Sequence, residues 1–87
     1  MYCAVYKSSK KAETYLYLAQ RDGFHVVPEA LRTAFGQAQL VLEMGLVPTR
    51  KLAQEDTCEV LRALLSRGWF LQMPRQDRPD PLENGLN

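Results

Sequence analysis

The sequence predicts a single α+β domain in which a four-stranded, mainly antiparallel sheet carries two packed helices. The chain has 87 residues, of which 46% are hydrophobic and 24% charged, a composition that suits one globular core. Aromatic and β-branched runs alternate with segments of helical spacing in the order β-β-α-β-α-β. We expect the domain to cover residues 1–74 and the polar, proline-containing residues 75–87 to form a flexible tail.

The first two strands are predicted at residues 2–6 and 14–18, where tyrosine, valine, leucine and threonine favour a pleated surface. The connection between them, residues 7–13, is polar and basic. Its length and composition predict an antiparallel hairpin with a charged tip.

A short first helix and a third strand follow the hairpin. Pro28 suits the first position of a helix, because the N–H that proline lacks would have no partner there, and Gly36 is a typical helix stop. The third strand is predicted at residues 39–44, with Leu40, Leu42 and Met44 on one side of it.

The second helix has a clear start at Asp56, because Glu59 follows three residues later in a capping-box spacing. Its predicted apolar stripe faces the core, and Gly68 ends it. The residues of that stripe are Cys58, Leu61, Leu64 and Leu65. The fourth strand, residues 69–73, is halted by Pro74.

Strand alternation predicts one core face and one reverse face for the sheet. The predicted core face carries Cys3, Val5, Leu16, Leu18, Leu40, Leu42, Trp69 and Leu71. The reverse face carries Tyr2, Tyr6, Tyr15, Tyr17, Val41 and Phe70. We expect both helices on the core face; the alternative is a three-layer arrangement in which the tail covers the tyrosines.

Composition and motifs argue against an enzyme, a metalloprotein or a cofactor carrier. A net charge of +1 does not suit a surface devoted entirely to nucleic acid. His25 is the one histidine, no ligand pair has metal-site spacing, and Cys3 and Cys58 are expected to be reduced, buried and inert. Without a membrane span or a signal peptide, the expected location is the cytoplasm.

One group of residues resembles a binding site. Lysines at the hairpin end lie next in sequence to tyrosines of the predicted reverse face, and the group comprises Lys7, Lys10, Lys11, Tyr6, Tyr15 and Tyr17. An aromatic face that docks a protein partner makes the chain a non-enzymatic binding or adaptor domain. The alternative is a weak single-stranded RNA binder, in which tyrosines stack bases and lysines contact phosphates.

Several blocks of the sequence resemble the YcgL domain family of small gammaproteobacterial proteins. The blocks are Tyr6-Lys7-Ser8-Ser9-Lys10, Thr14-Tyr15-Leu16-Tyr17, Val27-Pro28-Glu29-Ala30-Leu31, Phe35-Gly36-Gln37 and Gly68-Trp69-Phe70-Leu71-Gln72-Met73-Pro74. Ala38 departs from the proline expected after the Phe-Gly pair, and the tail is shorter than expected. The resemblance implies a compact α/β domain with a small sheet and covering helices, and it assigns no particular activity. Family members encoded beside ribonuclease D give mild support to the RNA alternative.

Overall fold

Four strands and two helices make up the fold, in a computed structural model that describes residues 1–52 and 55–74. In chain order, the elements are β1 (Tyr2–Ser8), β2 (Tyr15–Leu18), a 3-10 turn (Phe24–Val26), α1 (Glu29–Phe35), β3 (Ala38–Gly45), α2 (Thr57–Ser66) and β4 (Trp69–Gln72). The predicted α+β class and the β-β-α-β-α-β order are confirmed. The predicted tail, residues 75–87, lies outside the described residues.

The strands form one antiparallel sheet in the order β3-β1-β2-β4, so the first hairpin occupies its centre. In that hairpin Val5 lies opposite Tyr17 and Tyr6 lies opposite Leu16. Side chains at paired positions share a face. Val5 and Tyr17 therefore lie together on one side of the sheet, while Tyr6 and Leu16 lie together on the other.

Apolar side chains are buried on both faces of this sheet, in two separate clusters. The first cluster, against α2, consists of Cys3, Val5, Tyr17, Leu46, Val60 and Leu64. The second, against α1, consists of Ala4, Tyr6, Leu16, Leu18, Val27 and Phe35. The expectation that both helices share one face is wrong, because each helix covers a different side of the sheet.

The predicted division of the strands into a leucine face and a tyrosine face is also wrong, for two physical reasons. The hairpin register pairs Val5 with Tyr17 rather than with a leucine, and a one-residue difference in register exchanges the faces. In β3 a bulge adds one residue, because Val5 lies opposite Leu42 but Tyr6 lies opposite Leu40. Leu40 and Leu42 consequently lie on different sides of the sheet.

The helix boundaries follow the sequence signals closely. The Asp56 carboxylate caps α2 by accepting hydrogen bonds from the backbone N–H groups of Cys58 at 2.9 Å and Glu59 at 3.4 Å. Pro28 precedes α1 as its cap residue rather than as its first helical residue, and Gly36 ends α1 with a φ of 80°. These features fix where each helix begins and ends.

The buried face of α2 is rotated from the predicted stripe. Thr57, Val60 and Leu64 are buried, whereas Cys58 and Leu65 are exposed. Because residues three and four apart share one side of a helix, burial of Val60 and Leu64 turns Cys58 outward. The prediction that both cysteines are buried is therefore correct for Cys3 and wrong for Cys58.

Candidate functional site

The hairpin tip is held against the end of α1 by a set of hydrogen bonds. The hydroxyl of Ser8 donates to the carbonyl of Phe35 and accepts the backbone N–H groups of Lys10 and Lys11 at 3.2 and 2.9 Å. The backbone N–H of Ser9 donates to the carbonyl of Gln37 at 3.1 Å. The tip is thus an ordered structure docked on the helix rather than a free loop.

The three predicted lysines are all exposed but do not form one cluster. Lys7 is the second-last residue of β1 and lies opposite Tyr15, on the side of the sheet that α2 covers, because strand side chains alternate and Tyr6 faces α1. The ammonium of Lys10 donates to the carbonyl of Thr33 on α1 at 3.2 Å. Lys10 and Lys11 therefore belong to the α1 side, and Lys7 to the opposite side.

Whether the predicted tyrosine face is exposed or covered could not be read from the sequence; in the structure the tyrosines lie on both sides of the sheet. Tyr6 is 2% exposed and lies in the cluster against α1, while Tyr17 is 6% exposed and lies in the cluster against α2. Tyr15 is partly buried against the α2-side cluster. Stacking of unpaired bases on Tyr6 and Tyr17 is excluded, because their rings are enclosed in the protein core.

The buried tyrosine hydroxyls instead make structural hydrogen bonds. Tyr17 donates to the side-chain oxygen of Gln72 at 2.7 Å, and burial raises the pKa of its hydroxyl to about 12. Tyr6 donates to the Asp22 carboxylate at 3.0 Å and accepts the backbone N–H of Asp22 at 2.7 Å. Burial is the main cause that raises the pKa of Tyr6. The side chains of Tyr6 and Tyr17 therefore have structural roles.

A cleft opens where the hairpin tip, α1 and the end of β4 meet. It has a volume of about 610 Å³, within the range of ligand pockets. Its lining is mostly apolar, with two charged side chains, and includes Lys11, Glu13, Leu31, Phe35, Leu71 and Met73. Of the predicted site residues, only Lys11 lines this cleft. The structure therefore reveals a site that the sequence analysis did not identify.

A second surface lies along the outer edge of β3. We call this the edge patch; its residues are Met1, Tyr2, Val41, Leu42 and Val47. These are five of the eight large hydrophobic side chains that are exposed in the described part of the chain. Pairing of Tyr2 with Gly45 and a hydrogen bond from Leu46 N–H to the Met1 carbonyl hold the two chain segments together. By strand alternation Tyr2 lies on the α1 side of the sheet and Leu42, opposite Val5, on the α2 side, so the side chains of the patch lie on both sides of the sheet edge.

The reactive side chains of the described residues are dispersed. Cys3 is buried, which raises the pKa of its thiol to about 11, and such a thiol is a poor nucleophile at neutral pH. His25 lies exposed in the 3-10 turn. Among residues 1–52 and 55–74, no three histidine, cysteine or acidic side chains are grouped to hold a metal ion. Within the same ranges, no helix is long and apolar enough to cross a membrane.

Strand order is the signal that the sequence lacked for both surfaces. The edge patch exists because β3 is an outer strand, and strand order beyond the first hairpin could not be read from the residues. The alternation along residues 39–44, with Leu40, Leu42 and Met44 on one side, identified a strand but not its position in the sheet. The cleft likewise depends on how close the tip lies to α1.

Comparison with known proteins identifies the family. The family model for the YcgL domain matches residues 3–75. The chain is 51% identical over 76 residues to a YcgL domain-containing protein of Thioalkalivibrio sulfidiphilus, covering 86% of this chain and 94% of the relative. It is also 51% identical over 74 residues to one from Aeromonas hydrophila, covering 85% of this chain and 80% of the relative. A relative from Photorhabdus laumondii is 41% identical over 87 residues, covering 100% of this chain and 91% of the relative. With the matching blocks and the β-β-α-β-α-β fold, these similarities show that the chain belongs to the YcgL domain family.

Proposed function

We propose that this protein is a non-enzymatic cytoplasmic binding domain that docks a protein partner on the edge patch. The observation that carries the proposal is the exposure of Val41 and Leu42, at 47% and 46%, on a strand at the edge of the sheet. Burial of such exposed apolar surface against a partner removes it from water and thereby lowers the free energy of the complex. The free thiols of Cys3 and Cys58 suit a reducing compartment.

A non-enzymatic role agrees with how the fold uses its buried polar groups. Three buried hydroxyl groups each donate a hydrogen bond that joins two parts of the fold; they belong to Ser8, Tyr6 and Tyr17. A catalytic hydroxyl or thiol needs an adjacent base and access to substrate. These groups serve the architecture, while the accessible apolar side chains of the edge patch are available to a partner.

The β3 bulge supports a partner that binds through side chains rather than through strand addition. A bulge interrupts regular pairing and discourages another strand from extending the sheet along the whole edge. The partner is therefore expected to contact the side chains of Val41 and Leu42 rather than to add a full-length strand. Such contacts are dominated by apolar burial and depend little on salt.

The test is capture of the partner from native cells on the intact protein, followed by identification of the bound species. We expect a protein that remains bound in high salt and after nuclease treatment. Leu42→Lys should release it, because a charge would be buried at the interface. Leu65→Lys is the matched control, since Leu65 is a leucine with 75% exposure that lies on α2, outside the edge patch.

Other outcomes of the same experiment would contradict the proposal. Equal capture by the parent protein and the Leu42→Lys variant would show that the edge patch does not form the interface. Recovery of RNA that is lost steeply with rising salt and with Lys10→Glu plus Lys11→Glu would support the RNA alternative instead. In that alternative the lysines would act without the buried rings of Tyr6 and Tyr17.

A further inference from the structure

A groove lies at the end of the sheet where the chain leaves β2 and enters β4, next to the end of α2. Its walls come from two continuous segments, residues 19–26 and 64–68. We call it the α2-end groove; its lining includes Ala19, Gly23, His25, Val26, Leu65 and Arg67. Its volume is about 310 Å³, which is at the lower limit for small-molecule sites.

Contacts within the fold hold the two walls of this groove together. The Ala19 N–H donates to the Gly68 carbonyl at 3.0 Å, and the Gly23 N–H donates to the Gln20 carbonyl at 3.1 Å. Gly68 has a φ of 90°, and the Val26 side chain lies so near that an added Cβ would come within 3.2 Å of it. The groove is therefore a preformed part of the fold, and a ligand would bind with little reorganisation.

The Arg67 side chain is oriented by its contacts with Trp69. Its Nε–H donates to the Trp69 carbonyl at 2.9 Å, and its guanidinium carbon lies 4.0 Å from the centre of the Trp69 ring. Among residues 1–52 and 55–74, no other group accepts a hydrogen bond from this guanidinium, and no carboxylate lies within ion-pair distance of it. Its two Nη groups therefore remain as parallel donors, whose geometry matches the two oxygens of a carboxylate.

The titratable side chains that line the groove are both basic. They are Arg67 and His25, and the described lining includes no acidic residue. The nearest acidic neighbour in sequence, Asp22, accepts the Tyr6 hydroxyl at 3.0 Å instead. The last carbonyls of α2 carry partial negative charge, but their influence is weaker than direct contact with a guanidinium. The groove therefore favours an anion over a cation.

Apolar side chains lie in the same lining as this cation. Leu65 is 75% exposed and Val26 is 40% exposed, so both have apolar surface that a ligand could cover. We propose that the α2-end groove binds a small organic carboxylate, with its two oxygens on Arg67 and its apolar body against Val26 and Leu65. The groove lies beside β2 and β4, whereas the edge patch lies along β3 at the opposite edge of the sheet. The site does not depend on the protein partner proposed above.

The test is an NMR titration of the whole chain with benzoate, benzamide and benzamidine, three planar probes of one shape that carry a negative, no and a positive charge. Benzoate should shift the indole N–H signal of Trp69, the one tryptophan, and the amide signals of residues 19–26 and 64–68. Benzoate should bind up to about fivefold more tightly than benzamide, the size of an exposed ion pair. Benzamidine should bind most weakly.

Variants locate the two halves of the site. Arg67→Gln should remove the preference for benzoate over benzamide, and Arg67→Lys should restore little of it, because lysine keeps the charge but lacks the planar fork. Arg62→Gln is the matched control, since Arg62 is an exposed arginine of the same helix outside the described lining of the groove. Leu65→Ser should weaken benzoate and benzamide alike, because it removes apolar contact without changing the charge.

Several results would overturn the proposal. Absence of benzoate binding, or shifts concentrated outside the groove, would show that the groove does not accept this ligand. Benzamidine binding as tightly as benzoate would show that the groove does not select an anion, and inorganic phosphate binding more tightly than benzoate would make phosphate the ligand instead. Equal effects of Arg62→Gln and Arg67→Gln would reduce Arg67 to general attraction. None of these results would alter capture of a protein by the edge patch.

Discussion

The two faces of the sheet are closed by different means, although both draw their cores from the same central hairpin. On one face, α2 has ten residues, a side-chain cap from Asp56, and Val60 and Leu64 inserted into the core. On the other face, α1 has seven residues and no side-chain cap. The shorter helix is held through the hairpin tip. Closure on the α2 side is achieved mainly by the helix itself, whereas closure on the α1 side depends on the tip.

A buried tyrosine with an aromatic neighbour lies on each face. Tyr17 meets Phe70 edge-on with ring centroids 6.0 Å apart, and Tyr6 meets Phe24 at 4.8 Å. The Tyr17 hydroxyl bonds within the sheet to Gln72, whereas the Tyr6 hydroxyl holds the loop residue Asp22, whose φ is 59°. The α1 face thus relies on loop segments for its order, and the α2 face on regular structure.

The largest expected effect comes from removing a core leucine from either face. Leu16, on the α1 side, is 1% exposed and Leu64, on the α2 side, is 3% exposed. Leu16→Ala and Leu64→Ala should each lower the free energy of unfolding by about 2–5 kcal/mol, through lost burial and a residual cavity. Urea unfolding measures this loss, followed in parallel by Trp69 fluorescence and far-ultraviolet circular dichroism.

Leu65→Ala is the matched control for these core variants, since a leucine that is 75% exposed should change stability by no more than about 0.5 kcal/mol. Because β1 and β2 contribute to both clusters, the fluorescence and dichroism transitions should coincide in each variant. Separate transitions in either variant would show that the two faces unfold independently, against a shared hairpin core.

The order of the elements could be predicted from the sequence because it depends on local signals. Asp56 marked the start of α2 and Gly36 the end of α1, while three strands had aromatic or β-branched runs and the third had an alternating pattern. The run Cys3-Ala4-Val5 is apolar at consecutive positions, which is typical of a strand buried on both faces. The sequence analysis treated it as alternating and therefore assigned both helices to one face.

The candidate sites could not be predicted in the same way, because they depend on long-range geometry. The assumed tyrosine face required a particular hairpin register, and the actual register pairs Val5 with Tyr17. The bulge at Val41 likewise separates Leu40 from Leu42 without any local signal such as glycine or proline. Lys11 was identified as a candidate binding residue, but the apolar cleft that it lines becomes visible only when α1 and β4 are placed together.

Alkaline pH should lower the free energy of unfolding, through two buried groups on the α2 side of the sheet. Burial raises the pKa of Cys3 from 9.0 to about 11 and that of Tyr17 from 10.0 to about 12. The unfolded chain therefore releases these protons at lower pH than the native protein does. Stability should be intact below pH 9 and fall as the pH rises from 9 towards 12, because proton loss favours unfolding there.

The measurement for this pH dependence is the unfolding free energy in urea at several values of pH. Cys3→Ala and Tyr17→Phe should each flatten the alkaline decline, whatever their effect on stability at neutral pH. Tyr6→Phe is a comparison on the α1 face, where burial also raises the pKa of the tyrosine. If the unfolding free energy of the Cys3→Ala and Tyr17→Phe variants fell as steeply with pH as that of the parent protein, the alkaline loss of stability would not come from these two groups.

Gly36 provides a test of how the α1 face is closed. It has a φ of 80° and ψ of −154°, and an added Cβ would lie 2.6 Å from Ser9 Oγ and 2.7 Å from Lys10 Cγ. Gly36→Ala should cost roughly 1–3 kcal/mol of stability, because this conformation suits glycine and the side chains of Ser9 and Lys10 must shift. Chemical denaturation measures the loss, and amide shifts should report displacement of the tip.

Gly45 is the matched control for the Gly36 substitution. An added Cβ at Gly45 meets nothing within 4 Å, so Gly45→Ala should change stability by no more than about 0.5 kcal/mol. If Gly36→Ala changed stability as little as Gly45→Ala, the contact between the hairpin tip and α1 would accommodate the added Cβ at little cost. The dependence of the α1 face on a rigid contact between tip and helix would then be wrong.

The smallest expected effect concerns the cap on the α2 face. Asp56→Ala removes the acceptor for the Cys58 and Glu59 amides and should lower stability by about 1 kcal/mol, or roughly 4–8 °C in Tm for a domain of this size. Asp56→Ser restores a side-chain oxygen without the charge and should recover most of the loss. A serine variant as unstable as the alanine variant would mean that the carboxylate acts through its charge on the helix dipole. The stability that the cap gives to α2 would then be electrostatic. Because salt screens charges, the stability advantage of α2 over the uncapped α1 should diminish as ionic strength increases.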